Sequence, residues 1–337
     1  MKEHFFIGID VSKAKFDVCV LHLGQTVLNG VFENNPKGVK QMLKHLKQLS
    51  DFELTEAVFC MEHTGYYCNH LLEVLHQQDA TIWLENAVKI KQVNKFNRAK
   101  SDRIDAGMIA FYAYRNHEDL KKWEPKREAV RQLKYLFALR SRLILQKNQL
   151  LVPVKEAKEY ISKDLQKIEK RLMRDAIKGI EKTLGKTEKE IDAIIGKDES
   201  IGHQFKLLTS VSSVGRITAI YMIIATNEFK DIQCPKKFAC YSGIAPFEHT
   251  SGSSVRGKTR VSHYANKTIK SLLHLAAMSS VEHTREMKEY YLRKVAEGKN
   301  KMSVINAVRN KLVLRMFAVI RDNRVYEVGQ KLDLVKS

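Results

Sequence analysis

The sequence predicts an α/β domain followed by a largely α-helical remainder, and three observations predict it. The first 33 residues hold three short apolar runs separated by turn residues. Strand-like and helix-like periods then alternate as far as residue 84. From about Pro125 onward the apolar residues adopt heptad spacing instead.

Residues 4–10, 15–22 and 26–33 read as a strand meander, broken at Ser12-Lys13 and at Leu23-Gly24-Gln25. Asn35-Pro36-Lys37-Gly38 supplies an N-cap and an N1 proline and opens a helix through about residue 49. Residues 57–62 form a buried strand, 65–77 a helix and 80–84 a further strand. Three successive strands followed by alternating helix and strand is the order of a ribonuclease-H-like domain. Asp10 ends the first strand and Glu62 the fourth. A helix opening near Asp102 presents Asp102 and Asp105 from one face. An acidic first turn also suits the helix macrodipole, so this pair alone does not define a site. Four isolated acids at strand ends and a helix start do suggest one. Their hard oxygen donors suit Mg²⁺ or Mn²⁺, and four carboxylates can hold two such ions.

The 58 Lys and Arg residues against 38 Asp and Glu leave a net charge of +20, which makes nucleic acid the leading partner class. Lys89, Lys91, Lys95, Arg98 and Lys100 accumulate between positions 86 and 100 without an acid. Arg256, Lys258 and Arg260 do the same beyond position 248. Both stretches suit phosphate contacts. Cys19, Cys60, Cys68, Cys234 and Cys240 have no paired CxxC spacing, which supports neither a disulfide framework nor a structural zinc site. With no long uncharged apolar run and no signal peptide, the expectation is a soluble cytoplasmic protein, nucleoid-associated and without a membrane partner.

Leu136, Leu143 and Leu150 keep sevenfold spacing until Pro153, and Ile161, Leu165, Ile168 and Leu172 resume it. This is a helical hairpin or coiled coil, equally compatible with an intramolecular antiparallel pair and with a dimerising arm. Residues 207–226 resemble a helix-hairpin-helix with its turn at Gly215, whose backbone N–H groups suit a phosphate. Ala245-Pro246 then leads into a basic loop with Ser251, Ser253 and Ser254, and the final helices span about 267–280, 286–297 and 302–322. The expected domains are 1–120, a helical coiled-coil linker at 121–200, and a mostly helical C-terminal domain at 201–337.

GIDVSK at 8–13, MEHTGYY at 61–67, AKSDRIDAGMIA at 99–110 and YSGIAPFEHTSGSSVRGKTRVSH at 241–263 occur in that order. Together they resemble the insertion-sequence transposases of family 110, over nearly the whole chain. The resemblance implies a RuvC-like domain whose DEDD acids are Asp10, Glu62, Asp102 and Asp105, joined to a transposase domain with a serine nucleophile. Ser251 best matches that serine, although the family's Ser-Ser-Gly-Gly is Thr250-Ser251-Gly252-Ser253 here, which leaves Ser253 and Ser254 open. The resemblance further implies donor and target DNA, a structured guide RNA from the same element, and a homo-oligomer, either dimer or tetramer. The expected reaction is metal-dependent strand cleavage and exchange through a serine–DNA phosphodiester.

Three rival readings share these residues. The acids alone would suit a structure-selective nuclease that uses water. Gly8-Ile9-Asp10 also resembles the first phosphate motif of actin-like ATPases, but no later phosphate strand or adenosine motif follows. A non-catalytic nucleic-acid-binding protein would keep the charge and use the acids structurally.

Overall fold

A computed structural model describes residues 5–93, 102–251, 255–261 and 265–327, with side chains described at all of these except 92–93, 247–251 and 255–261. The chain divides into two compact units, Met1–Pro125 and Lys126–Ser337.

The first unit is built on a five-stranded mixed sheet. Strands β1 (Phe5–Val11), β2 (Lys15–His22) and β3 (Gln25–Glu33) form an antiparallel meander, while β4 (Ala57–Glu62) and β5 (Thr81–Glu85) run parallel to β1. The strand order is β3-β2-β1-β4-β5. This mixed α/β arrangement is compatible with the ribonuclease-H-like expectation. Helix α1 (Pro36–Leu46) starts where the sequence placed it, with the Asn35 side chain accepting from the Gly38 N–H at 2.8 Å and Pro36 in the first turn. The helix expected over 65–77 is split into a 3₁₀ turn, Gly65–Cys68, which opens with Gly65 at a left-handed φ of +73°, and α2 (Asn69–Gln77).

Side-chain alternation gives the sheet two faces. Phe5, Ile7 and Ile9 of β1 pack with Val39, Met42 and Leu46 of α1 and Leu71 and Leu75 of α2. Phe6 of β1 points the other way, with Val58 and Cys60 of β4 and Trp83 of β5, onto Ala106, Ile109, Ala110 and Ala113 of α4 (Asp102–Arg115). Gly8 lies on this second face. A β-carbon built there would stand 2.2 Å from both the Ala106 carbonyl oxygen and the Ala110 nitrogen, so the helix backbone rests directly on the strand. A short helix, α3 (Ala87–Val93), follows β5.

The second unit is mostly helical. Helices α5 (Glu128–Glu156) and α6 (Lys163–Lys197) are joined through a 3₁₀ turn, Ala157–Glu159. The pairs Arg140–Glu188 at 2.9 Å and Lys147–Glu181 at 2.6 Å step seven residues forward on α5 and seven back on α6, so the two helices are antiparallel. Pro153 does not end α5. It lies three residues before the end of the helix, where the chain passes into the 3₁₀ turn. Helices α7 (Glu199–Ser210), α8 (Arg216–Thr226), α9 (Pro235–Tyr241), α10 (Lys267–His283), α11 (Arg285–Ala296) and α12 (Lys301–Arg321) enclose a second core around Leu208, Ile220, Ile223, Phe238, Leu273, Val308 and Met316. The serine-bearing segment is a β-hairpin, β6 (Pro246–Ser251) with β7 (Val255–Val261), where the sequence suggested a loop. Among the described residues no helix is long and apolar enough to cross a membrane.

The Gly8 contact makes a measurable demand. Gly8→Ala should destabilise the protein by about 2–3 kcal/mol through overpacking, read as a lower urea midpoint at unchanged slope, whereas Gly215→Ala, with open space around it, should cost far less.

Candidate active site

The alternation that sends Phe6 and Gly8 toward α4 sends Asp10 there too, at the C-terminal end of β1. Glu62 ends the neighbouring parallel strand β4, on the face already marked by Val58 and Cys60. Helix α4 crosses Gly8 at Ala106 and Ala110. Asp105 immediately precedes Ala106 and Asp102 stands one turn before it, both near enough to Asp10 for their charges to act on that carboxyl. Two residues of strand rise and one turn of helix rise are nearly equal, about 6–7 Å against about 5.4 Å, so the strand acid and the helix acids arrive at the same level.

A fifth acid joins them. Asp17 lies directly opposite Asp10 in the β1–β2 pair and is 6% exposed. Sequence reading passed over it, although an acid inside the apolar run 16–21 was a visible signal. Burial, then the charges of Asp105, Asp102, Asp17 and Glu62, push the Asp10 carboxyl up to about 6. The cation at this site is Lys15, whose Nζ lies 2.9 Å from Asp102 and 3.2 Å from Asp17. Those two carboxylates hold its ammonium above its ordinary pKa.

Glu85, opposite Glu62 on β5, is tied into the fold. It accepts from Tyr112 Oη at 3.1 Å, Lys89 Nζ at 3.0 Å and the Asn86 N–H at 2.8 Å. Lys89 is thereby paired, and Lys91 is exposed on α3. Lys95, Arg98 and Lys100 lie outside the described residues. The all-oxygen donor set and its excess negative charge fit a hard divalent cation. Among the described residues, no three His, Cys, Asp or Glu side chains converge closely enough to hold one. Asp102, with its side chain 54% exposed, has room to turn.

In the second unit Ser251 is the last residue of β6 and pairs with Val255, while Ser253 and Ser254 lie outside the described residues. Arg256 stands opposite Thr250 and Arg260 opposite Phe247, with Lys258 between them on β7. The root of the hairpin is fixed by hydrogen bonds. The Asn266 N–H donates to the Tyr241 carbonyl at 2.9 Å, Asn266 Nδ2 to Tyr241 Oη at 2.7 Å, and Asn306 Nδ2 to the Ile244 carbonyl at 2.7 Å. Gly215 is the N-cap of α8, without a side-chain cap and with open space where a side chain would stand.

Residues 7–156 match a family model described as a transposase of the DEDD, IS110 type, and residues 205–292 match the transposase IS116/IS110/IS902 family. The chain is 26% identical to the pilin gene-inverting protein of Moraxella bovis over 325 residues, covering 96% of this chain and 97% of that one. It is 25% identical to the protein of the same name from Moraxella lacunata, with the same coverage. A 43.6 kDa protein of insertion element IS110 from Streptomyces coelicolor is 26% identical over 121 residues, 36% of this chain and 30% of that one.

The strained acid predicts a pH dependence. An unfolded Asp releases its proton near pH 4, and Asp10 in the fold near pH 6. The folded state therefore holds more protons in that window, and stability falls as pH rises through it. With divalent ions chelated, Asp10→Asn should abolish this fall and raise stability at pH 7 by on the order of 1 kcal/mol, discounted for solvent screening. Urea unfolding at pH 4 and pH 7 measures both.

Proposed function

We propose, for a chain that belongs to the IS110 family of transposases, that it cuts and rejoins DNA strands through a covalent serine linkage at a divalent-metal site. The observation that carries the reading is the gathering of Glu62, Asp102 and Asp105 around Asp10 at the strand ends beneath the start of α4. An apolar strand end is a costly place to gather acids unless a cation is to be bound there.

Asp10, Glu62, Asp102 and Asp105 would hold Mg²⁺ or Mn²⁺, two ions at full occupancy. Such ions supply Lewis-acid stabilisation of phosphate oxygens and favour ionisation of the attacking hydroxyl. Ser251 Oγ is the attacking group. Its bond to phosphorus forms as the bond to the 3′ oxygen breaks, and the serine proton ends on the departing 3′ hydroxyl. The phosphodiester energy is kept in the serine linkage, so a different 3′ hydroxyl can reverse the step and complete strand exchange without ATP. The relatives named for inverting a gene support exchange over simple cleavage, since an inverted segment must be rejoined as well as cut.

Donor and target DNA and a structured RNA from the same element are the proposed partners. The net charge of +20 suits backbone binding, and base pairing would supply sequence choice. Lys89, Lys91, Lys95, Arg98, Lys100, Gly215, Arg256, Lys258 and Arg260 are the proposed nucleic-acid contacts. The working assembly is a homo-oligomer in which Ser251 of one copy acts with the acids of another.

Incubated with the flanking transcript, matching DNA and Mg²⁺, the wild-type chain should yield a protein–DNA adduct on a denaturing gel, and Ser251→Ala and Asp102→Ala should each abolish it. Cleavage without an adduct, unaffected by Ser251→Ala, would identify a water-using nuclease instead. Removing Arg256, Lys258 or Arg260 should lower the salt slope of binding by about one each. A mixture of Asp10→Ala and Ser251→Ala chains should recover adduct formation by sharing sites.

A further inference from the structure

We propose that Lys15 is a built-in counter-ion of the acid site, which holds Asp102 in the metal-free chain and gives it up to a divalent ion while remaining on Asp17. The role rests on the four-acid reading above and adds two residues, Lys15 and Asp17, to its machinery as positioning groups.

The argument starts from what can move. Ser12 donates both its N–H, at 2.9 Å, and its hydroxyl, at 2.7 Å, to the Lys15 carbonyl, so the turn between β1 and β2 fixes the Lys15 backbone. The side chain beyond it is a four-carbon stem, 46% exposed. Its two partners differ. Asp17 is buried within β2 and cannot leave the sheet, whereas Asp102 stands at the solvent-exposed start of α4. Lys15 therefore has one permanent anchor and one removable partner.

Charge sets the direction of the exchange. Asp105, Asp102, Asp17 and Glu62 all act on Asp10, and Lys15 gives Asp102 a cation to face. That contact relieves repulsion in the empty site and keeps Asp102 turned toward Lys15. When Asp102 turns to a divalent ion the Lys15–Asp102 contact is lost, while the Lys15–Asp17 pair persists and keeps the ammonium beside the site. Lys15 thus weakens ion binding and stabilises the empty site. A purely structural ion pair would stabilise both states alike.

Titration of Mn²⁺ alone, followed through the electron paramagnetic resonance signal of unbound ion, separates these cases. Lys15→Met should bind Mn²⁺ about fivefold more tightly than wild type, less so at high salt, and Lys15→Arg should stay within about twofold of wild type. Without metal, Lys15→Met should melt at a lower temperature, and Mn²⁺ should raise its melting temperature more than it raises that of wild type. If wild type binds Mn²⁺ and Lys15→Met binds it no more tightly, the counter-ion role is overturned and the four-acid reading stands. A wild-type chain that binds no Mn²⁺, or an Asp10→Ala chain that binds it as wild type does, overturns both.

Discussion

The first unit depends on one close approach, the backbone of α4 lying on β1 at Gly8. Helices normally pack on sheets through side chains, which keeps the two backbones well apart. Here the strand offers no side chain and the helix offers Ala106 and Ala110, so the Ala106 carbonyl and Ala110 nitrogen come to the surface of the sheet. The contact fixes the height of the helix, and its position two residues before Asp10 fixes the level at which the helix begins. Asp102 and Asp105 owe their place beside Asp10 to a residue that carries no chemistry. The same contact leaves Cys19 beside Gly107 and Tyr114 against Phe6, which set the rotation of the helix about its axis.

That geometry concentrates negative charge. Five carboxylates gather around one end of the sheet, and burial together with the charges of the other four pushes the Asp10 carboxyl up to about 6. Glu85 instead accepts hydrogen bonds from a tyrosine, a lysine and a backbone N–H. Its contrast with Asp10 distinguishes an acid paired within the fold from one whose charged neighbours are other acids. Two groups at equivalent strand ends meet opposite environments, and only one environment leaves excess charge.

Most of the first unit was legible because strand alternation and turn chemistry are local signals. The meander, the α1 cap at Asn35, and the strand positions of Asp10 and Glu62 follow from residues within a few places of one another. The start of α4 at Asp102 was legible for the same reason. Asp17 and Lys15 were not, since their roles arise from pairing across β1–β2 and from the placement of α4, about 85 residues downstream. The hairpin 246–261 was obscured because its strands carry serine, arginine and lysine at positions where an apolar period would have shown it. Pro153 marked the break between α5 and α6 to within a few residues, since a proline removes one helical N–H and crowds the preceding turn.

A chain of net charge +20 that gathers carboxylates at one sheet edge poses a problem for a polyanionic substrate. Fields from exposed charges fade over about 8–10 Å at ordinary salt, so the basic surface can capture nucleic acid without cancelling the repulsion at the acids themselves. A phosphate approaching Asp10 without a cation meets charges of its own sign at close range, where screening is weakest. Lys15 offsets only one of them, and it does so by facing Asp102 and Asp17. Binding and chemistry are therefore separable on electrostatic grounds. On the proposed reading, the lysines and arginines would govern whether nucleic acid is held, and the charge state of the acid cluster whether a phosphate can enter. A divalent ion at that cluster would act as an admission requirement for the phosphate before it acted on any bond, which makes indiscriminate cutting by the metal-free protein electrostatically unfavourable even when nucleic acid is bound.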